Sequence, residues 1–246
     1  MAENGCPQEL RGAYEQPWCT LATTVASRGY GQYCGLARAL ELVGERWALL
    51  IIRDLLVGPR RFSDLRRGLP RIPSNVLSDR LKELEERGVV QRRILPRPAS
   101  ATVYELTQYG AEIEEAIMRL GTWGAQALGE PRPDEIVTAD SMTIALRSTF
   151  VPGQATGKHL SFELHMGPVV LNGRIDNGNL QVGEGPVPQK DLVVYTGPAL
   201  KRLFDRSLTP QQALEADLVT IEGDPALLET FAQVFQIGSH RETASA

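Results

Sequence analysis

Two shifts of pattern along 246 residues predict an α+β chain in two parts. Between Leu36 and Gly88, apolar residues recur three and four positions apart, the spacing of helices that lie on a core. Beyond residue 134 they alternate with polar residues between Asn/Gly turns, as antiparallel strands do. Gly129-Glu130-Pro131-Arg132-Pro133 divides the two regimes, because two prolines and a glycine bar regular structure there.

Bulk composition, 42% hydrophobic and 23% charged, is that of a globular chain. No apolar run reaches the roughly 18 residues that a membrane-spanning helix needs. The first residues lack the basic start and apolar core of a signal peptide, so a cytoplasmic protein is expected. Residues 1–30 are polar, rich in small residues and aperiodic, and read as a flexible arm. Cys6, Cys19 and Cys34 are odd in number and lack paired spacing, which argues against a disulfide scaffold or a zinc site.

The net charge of −4 hides an uneven distribution. Residues 60–97 hold eleven Lys/Arg against five acids, a local +6, while residues 131–246 hold nine against fourteen, a local −5. A basic segment joined to an acidic one fits a chain of which one part meets a polyanion.

The elements follow in order. GLARALELV forms a short helix from Leu36 to about Val43, and Gly44 breaks it. A strongly apolar helix is expected from Glu45 to Val57, ended by Gly58-Pro59. FSDLRRGLP makes a short helix with Ser63 as its N-cap, stopped at Gly68-Leu69-Pro70. RIPSNVLSDRLKELEERGVV carries the next helix, with Leu77, Leu81 and Leu84 as its stripe and Gly88 as its end. The period then changes to two: VVQRRIL (89–95) and ATVYELT (101–107) are strands of a hairpin whose loop, PRPAS, is basic. One long helix, 107–129, closes the first part, with Ile113, Ile117, Leu120 and Trp123 as its seam. In the second part MTIALRSTFV, KHLSFELHM, GPVVLNGRIDNGNLQVGEG and DLVVYTG read as strands, and 198–207 and 224–235 as helices.

Helix, helix, short helix, helix, hairpin, helix is the order of a winged helix-turn-helix domain. From about residue 34 to 125 the residues resemble the HxlR family of bacterial winged-helix regulators, relatives of the MarR group. The resemblance rests on Trp47, on Arg61, Phe62, Asp64 and Leu65, on the VLSDRLKELEERG block, and on Tyr104, Leu106 and Thr107 closing the wing. It implies a homodimer on a double-stranded DNA operator, with Leu36–Val43 and residues 107–129 forming the dimer interface. The seam of the last helix serves an intramolecular core equally well.

A recognition helix needs short polar or cationic side chains on its first exposed turns, which enter the major groove. Ser74, Asn75 and Ser78 fit, Asn75 being suited to adenine. Arg80 and Lys82 suit phosphates, while Arg60 and Arg61 at the start of the preceding helix and Arg92, Arg93 and Arg97 in the wing are phosphate or minor-groove candidates, and Arg71 joins the DNA-binding set. Glu83, Glu85 and Glu86 must lie where the helix leaves the groove. Within the helix, Arg80 also has Glu83 at i+3, Lys82 has Asp79 or Glu86, and Arg87 has Glu83, so internal pairs compete with DNA. Cys34 stands where many family members carry a cysteine, in some a redox or electrophile sensor. The usual Cys-Pro is Cys34-Gly35 here, and Arg38 one turn onward favours a thiolate.

The second part resembles a sterol-carrier-protein-like domain, most clearly over DLVVYTG and PALKRLFDRSLTPQQALEADLVTIEGDPALLETFAQVF. Glu215-Ala216-Asp217 departs from the family's usual Ser-Gly. The resemblance implies an antiparallel sheet with helices on one side enclosing an apolar tunnel. Phe150, Phe162, Leu164, Leu203, Phe204, Phe231 and Phe235 would line it, unless they are plain core. His159 and His165 read as solvated or hydrogen-bonded, since no cluster makes them metal ligands. No nucleophile elbow, phosphate-cradling loop or HExxH motif is present, so neither an enzyme nor a cofactor is expected.

The expectation is an α+β chain: a flexible arm (1–30), a winged helix-turn-helix DNA-binding domain (31–129) and an α/β sterol-carrier-like domain with an antiparallel sheet (134–240). Its function would be a homodimeric transcriptional regulator, a repressor, answering to a hydrophobic small molecule in the second domain. Two alternatives stay open: a thiol-based regulator switching at Cys34, and a lipid carrier that binds no DNA.

Overall fold

The computed structural model describes residues 29–96 and 101–238. The predicted arm up to residue 28, with Cys6 and Cys19, and the loop residue Arg97 lie outside them. The described chain forms two units, meeting in sequence at Glu45 and Arg46. The first holds helix α1 (Gly35–Val43), on which Leu36 and Leu40 are exposed. Ahead of it, the Tyr30 backbone N–H donates to the Glu41 carboxylate, which also pairs with Arg38 at 2.7 Å.

The second unit begins with the winged helix: α2 (Ala48–Val57), α3 (Phe62–Gly68), α4 (Ser74–Glu86), strands β1 (Val90–Ile94) and β2 (Thr102–Leu106), α5 (Gln108–Ala111) and α6 (Glu114–Ala125). Ile51, Ile52 and Leu55 of α2, Leu65 of α3, and Leu77, Leu81 and Leu84 of α4 are all buried, so the leucine stripe is the covered face of α4, as its spacing requires. β1 and β2 pair antiparallel from Val90↔Leu106 to Ile94↔Thr102. Arg60 adds a backbone bridge to Tyr104, which ties the start of α3 to the wing.

Three boundaries differ from expectation. The helix expected from Glu45 starts at Ala48, because Trp47 takes a left-handed backbone (φ 80°) that cannot continue a right-handed helix. Ser63 is not the cap of α3. Arg61 is, and the Asp64 carboxylate accepts from its backbone N–H at 3.1 Å. The single helix 107–129 is two. Thr107 caps a separate short α5, its Oγ1 accepting from Gly110 N–H at 2.9 Å and donating to the Gly88 carbonyl at 2.6 Å. Gly110 lies so close to the wing that a Cβ would stand 2.0 Å from the Val89 carbonyl oxygen, so only glycine lets α5 dock there.

The rest of the second unit comprises α7 (Ala139–Thr149), β3 (His159–Met166), β4 (Val169–Asp176), β5 (Asn179–Glu184), β6 (Leu192–Thr196), α8 (Ala199–Phe204), α9 (Pro210–Glu215), β7 (Thr220–Gly223) and α10 (Pro225–Val234). MTIALRSTFV, expected as a strand, supplies most of α7. Alternation across M-T-I-A-L imitates a strand, but Thr138 and Ser141 form a capping box ahead of it. Met142, Leu146 and Thr149 then bury one helical face.

The sheet runs β5-β4-β3-β6-β7 and is mixed, since β3 and β6 are parallel while every other pair is antiparallel. A parallel pair demands that the chain return after β5 to start β6 at the same end as β3. Residues 185–191 make that return. Asn172 Nδ2 donates to the Gly185 carbonyl at 2.9 Å, and Glu163 accepts from Val187 N–H at 2.8 Å and Lys190 Nζ at 2.7 Å. Gly173 of β4 must be glycine, because a Cβ there would stand 2.1 Å from the ring of Phe162. Among the described residues no helix is long and apolar enough to cross a membrane.

Candidate functional site

The outer end of α4 is its N-terminus. Pro73 is its N-cap and offers no side-chain cap, and the first turn carries no acid. The unsatisfied N–H groups and the positive end of the helix dipole are therefore left to an external acceptor. Ser74, Asn75 and Ser78 are exposed there. The Ser78 hydroxyl donates to the Ser74 carbonyl at 3.0 Å, which leaves Asn75 as the longest polar side chain of that turn.

The predicted cations fall into groups. Arg61 is exposed at the cap of α3. Lys82 is exposed and lies 3.7 Å from Glu86, while Arg80 is half-buried and pairs with Glu83. On the wing, Arg92 pairs with Glu85 at 2.7 Å and lies over the ring of Tyr104, and Arg93 pairs with Glu105 at 2.8 Å. The Glu85 carboxylate raises the pKa of Arg92. The arginines of these pairs are exposed while Glu85 and Glu105 are partly covered, so each guanidinium keeps donors on its solvent side for a phosphate. Arg60 and Arg71 face the second half instead. Arg60 Nε donates to Asp140 of α7 at 2.9 Å and Nη2 closes the pair, and Arg71 pairs with Asp134 of the connecting segment. The structure thus gathers Ser74, Asn75, Ser78 and Lys82 on one helix and Arg92 and Arg93 on one strand, turns Arg60 toward α7, and leaves Arg71 exposed beside Asp134. Arg66 and Arg67, outside the predicted set, are exposed at the end of α3. Their place in the basic run was the available signal.

α7 packs against both α2 and α6. Arg147 Nη1 donates to the Leu56 carbonyl at 3.2 Å, and the Thr122 hydroxyl to the Ser148 carbonyl at 3.0 Å. Close to Arg60 lies a carboxylate that the sequence did not single out. Asp54 of α2 is fully buried; its Oδ1 accepts from Arg53 at 2.7 and 2.9 Å, whereas Oδ2 has no partner among the described residues. Burial pushes its pKa up to about 6 against the pull of Arg53.

The candidate ligand residues come together, but as a packed cluster. Phe162, Leu164, Leu203, Phe204, Phe231 and Phe235 are buried, with Phe150 partly buried beside them. Neighbouring rings lie 5.0 to 6.2 Å apart in tilted, edge-on or stacked contact. A ligand entering among them must displace rings. An open groove of about 630 Å³ lies elsewhere, between α6 and the end of α7 and the β4–β5 turn. Its lining includes Glu112, Glu114, Glu115, Met118, Phe150 and Leu180. His159 lies 2.8 Å from Asp176, and His165 is hydrogen-bonded to Glu163 at 3.0 Å. Cys34 is exposed at the N-cap of α1, and hydrogen bonds from the backbone N–H groups of Ala37 and Leu36 lower its pKa.

On α6 the apolar seam divides, with Ile117 buried and Leu120 and Trp123 exposed.

Residues 42–131 match the family profile described as HxlR-like helix-turn-helix. The HTH-type transcriptional regulator YodB of Bacillus subtilis (strain 168) is 36% identical over 88 residues, which are 36% of this chain and 79% of that protein. An uncharacterized HTH-type transcriptional regulator of Mycobacterium tuberculosis (strain CDC 1551 / Oshkosh) is 44% identical over 99 residues, 40% of this chain and 61% of that one. The solved structure of reduced YodB is 34% identical with a TM-score of 0.35, covering 39% of this chain and 94% of that chain.

Proposed function

The chain belongs to the HxlR-like helix-turn-helix family, and on that premise we propose that it is a DNA-binding transcriptional regulator that reads an operator with α4. The observation that carries this reading is the uncapped, acid-free N-terminus of α4, with Ser74, Asn75 and Ser78 exposed above a buried leucine stripe. Asn75 contacts a base edge, and Arg61, Lys82, Arg92 and Arg93 contact phosphates. The protein acts as a homodimer, for which the exposed Leu120 and Trp123 of α6 supply apolar surface.

The part from residue 134 to 240 is read as a sterol-carrier-like module that receives a small molecule. Support comes from its strand and helix order and from α7, which leans on α2 and α6 and joins any strain in the module to the winged helix. The test is the affinity of the full chain for duplex DNA as salt is varied. A slope of log K against log salt steepened by about 0.9 for each phosphate neutralised is expected. A flat dependence would discard DNA binding.

A second reading, a thiol switch at Cys34, is favoured by the exposed, acidified thiol at the start of α1. Cys34→Ser decides it: a response of DNA affinity to diamide or a quinone that survives the substitution rules the switch out.

A further inference from the structure

Because the aromatic cluster is closed by its own rings, the groove beside α6 is the better receptor. We propose that this groove, between α6, the end of α7 and the β4–β5 turn, binds an amphipathic organic cation. The inference rests on the reading of the chain as a ligand-responsive regulator, and deepens it by naming a site and a ligand class.

The groove, about 630 Å³, is open to solvent and can hold one face of a small molecule. Met118, Phe150 and Leu180 give it an apolar side. Glu112, Glu114 and Glu115 place three carboxylates on the other side. Of these, Glu115 has an ion pair with Arg119 in which both partners are more than three-quarters exposed, so a ligand competes for it readily. Among the described residues Arg147 is the one cation of the lining, and its Nη1 is tied to the Leu56 carbonyl. The lining therefore holds three carboxylates and one engaged guanidinium. An anion meets net negative charge there, whereas a cation gains from the carboxylates.

The position gives the site a consequence. One wall is the last helix of the winged part, and the other is the end of α7, where Arg147 and Phe150 stand. The opposite end of α7 carries Asp140, which holds Arg60 at the start of α3. A ligand seated between α6 and α7 bears on a helix that touches both halves.

Titration calorimetry of the full chain at low salt, with tetraphenylphosphonium and its near-isosteric anion tetraphenylborate, tests the site. Tetraphenylphosphonium is expected to bind and tetraphenylborate not to. The variant E112Q/E114Q/E115Q, confirmed as folded by its melting curve, should bind the cation about tenfold more weakly, since each exposed charge contributes a few tenths of a kcal/mol or more. Equal binding of both ions, or an unchanged affinity in the variant, overturns the proposal. DNA affinity measured with and without tetraphenylphosphonium separates the two levels. Charge-selective binding that leaves DNA affinity unaltered keeps the site and refutes ligand response through it. A response of DNA affinity to neutral hydrophobic molecules, without cation binding, keeps ligand response and refutes the site.

Discussion

Replacing Asp54 by asparagine removes a charge that the fold holds at a disadvantage. The carboxyl is fully buried with Oδ2 unpartnered, and burial lifts its pKa to about 6. Arg53 on the same helix and Arg60 oppose that lift, while Asp140 on α7 adds to it. In the unfolded chain the group ionises near the usual 3.9 or so, about two units lower, which is about 3 kcal/mol at 1.4 kcal/mol per unit. The sign follows from which state keeps the proton. Between these values the folded chain is protonated and the unfolded chain is not, so stability falls as pH rises through the window, and the full penalty stands above pH 6 or so. The neutral amide of the Asp54→Asn variant carries no such penalty, and its carbonyl can still accept from Arg53. Urea unfolding of both proteins should therefore show the variant gaining about 2 kcal/mol on the parent between roughly pH 4.5 and 7.5. A difference in stability that stays constant across that range would refute a buried, proton-retaining Asp54.

Asn75→Ala should weaken binding to the preferred duplex by about 1–3 kcal/mol and relax base preference at one position, whereas Arg61→Ala should lower the salt slope by about one with little change in preference; anisotropy titrations on matched and scrambled duplexes distinguish the two. Leu81→Ala, at a site 1% exposed, should cost about 2–5 kcal/mol in urea unfolding. Glu163 presents the opposite case to Asp54. Burial works to raise its pKa, but hydrogen bonds from Lys190, Val187 N–H and His165 outweigh that and bring it down to about 2. Its contribution is whole above pH 5 or so and is lost as pH falls toward 2, so Glu163→Gln should cost about 2–3 kcal/mol near neutrality and much less near pH 2, as read by chemical denaturation.

The winged half was legible because its information is local. Leu77, Leu81 and Leu84 define a helix by spacing alone, and Gly88 and the alternation of 89–95 announce the change of period. The same local evidence misread α7, where alternation over five residues outweighed the Thr138–Ser141 capping box. It also missed the parallel pairing of β3 with β6, because strand direction is set by a return loop whose anchor, Glu163, lies far away in sequence. Among site residues, Ser74, Asn75 and Ser78 could be placed from the pattern of one helix. Arg60 and Arg71 could not, since their partners Asp140 and Asp134 belong to the other half. The buried Asp54 and the acid-rimmed groove are likewise products of packing between segments distant in sequence.

The docking of α7 also bears on modularity. A fragment ending at Gly129 keeps nearly all of the residues that align with the family, so it is the natural piece to excise. It would nonetheless lose the donor to the Leu56 carbonyl, one of the two acceptors of the Thr122 hydroxyl and the carboxylate opposite Arg60. The faces of α2 and α6 that α7 covers would then meet water, which favours self-association of the fragment. α7 is therefore part of the packing of the winged helix, and exchanging the second half for another sensor would require redesigning α2 and α6 along with it.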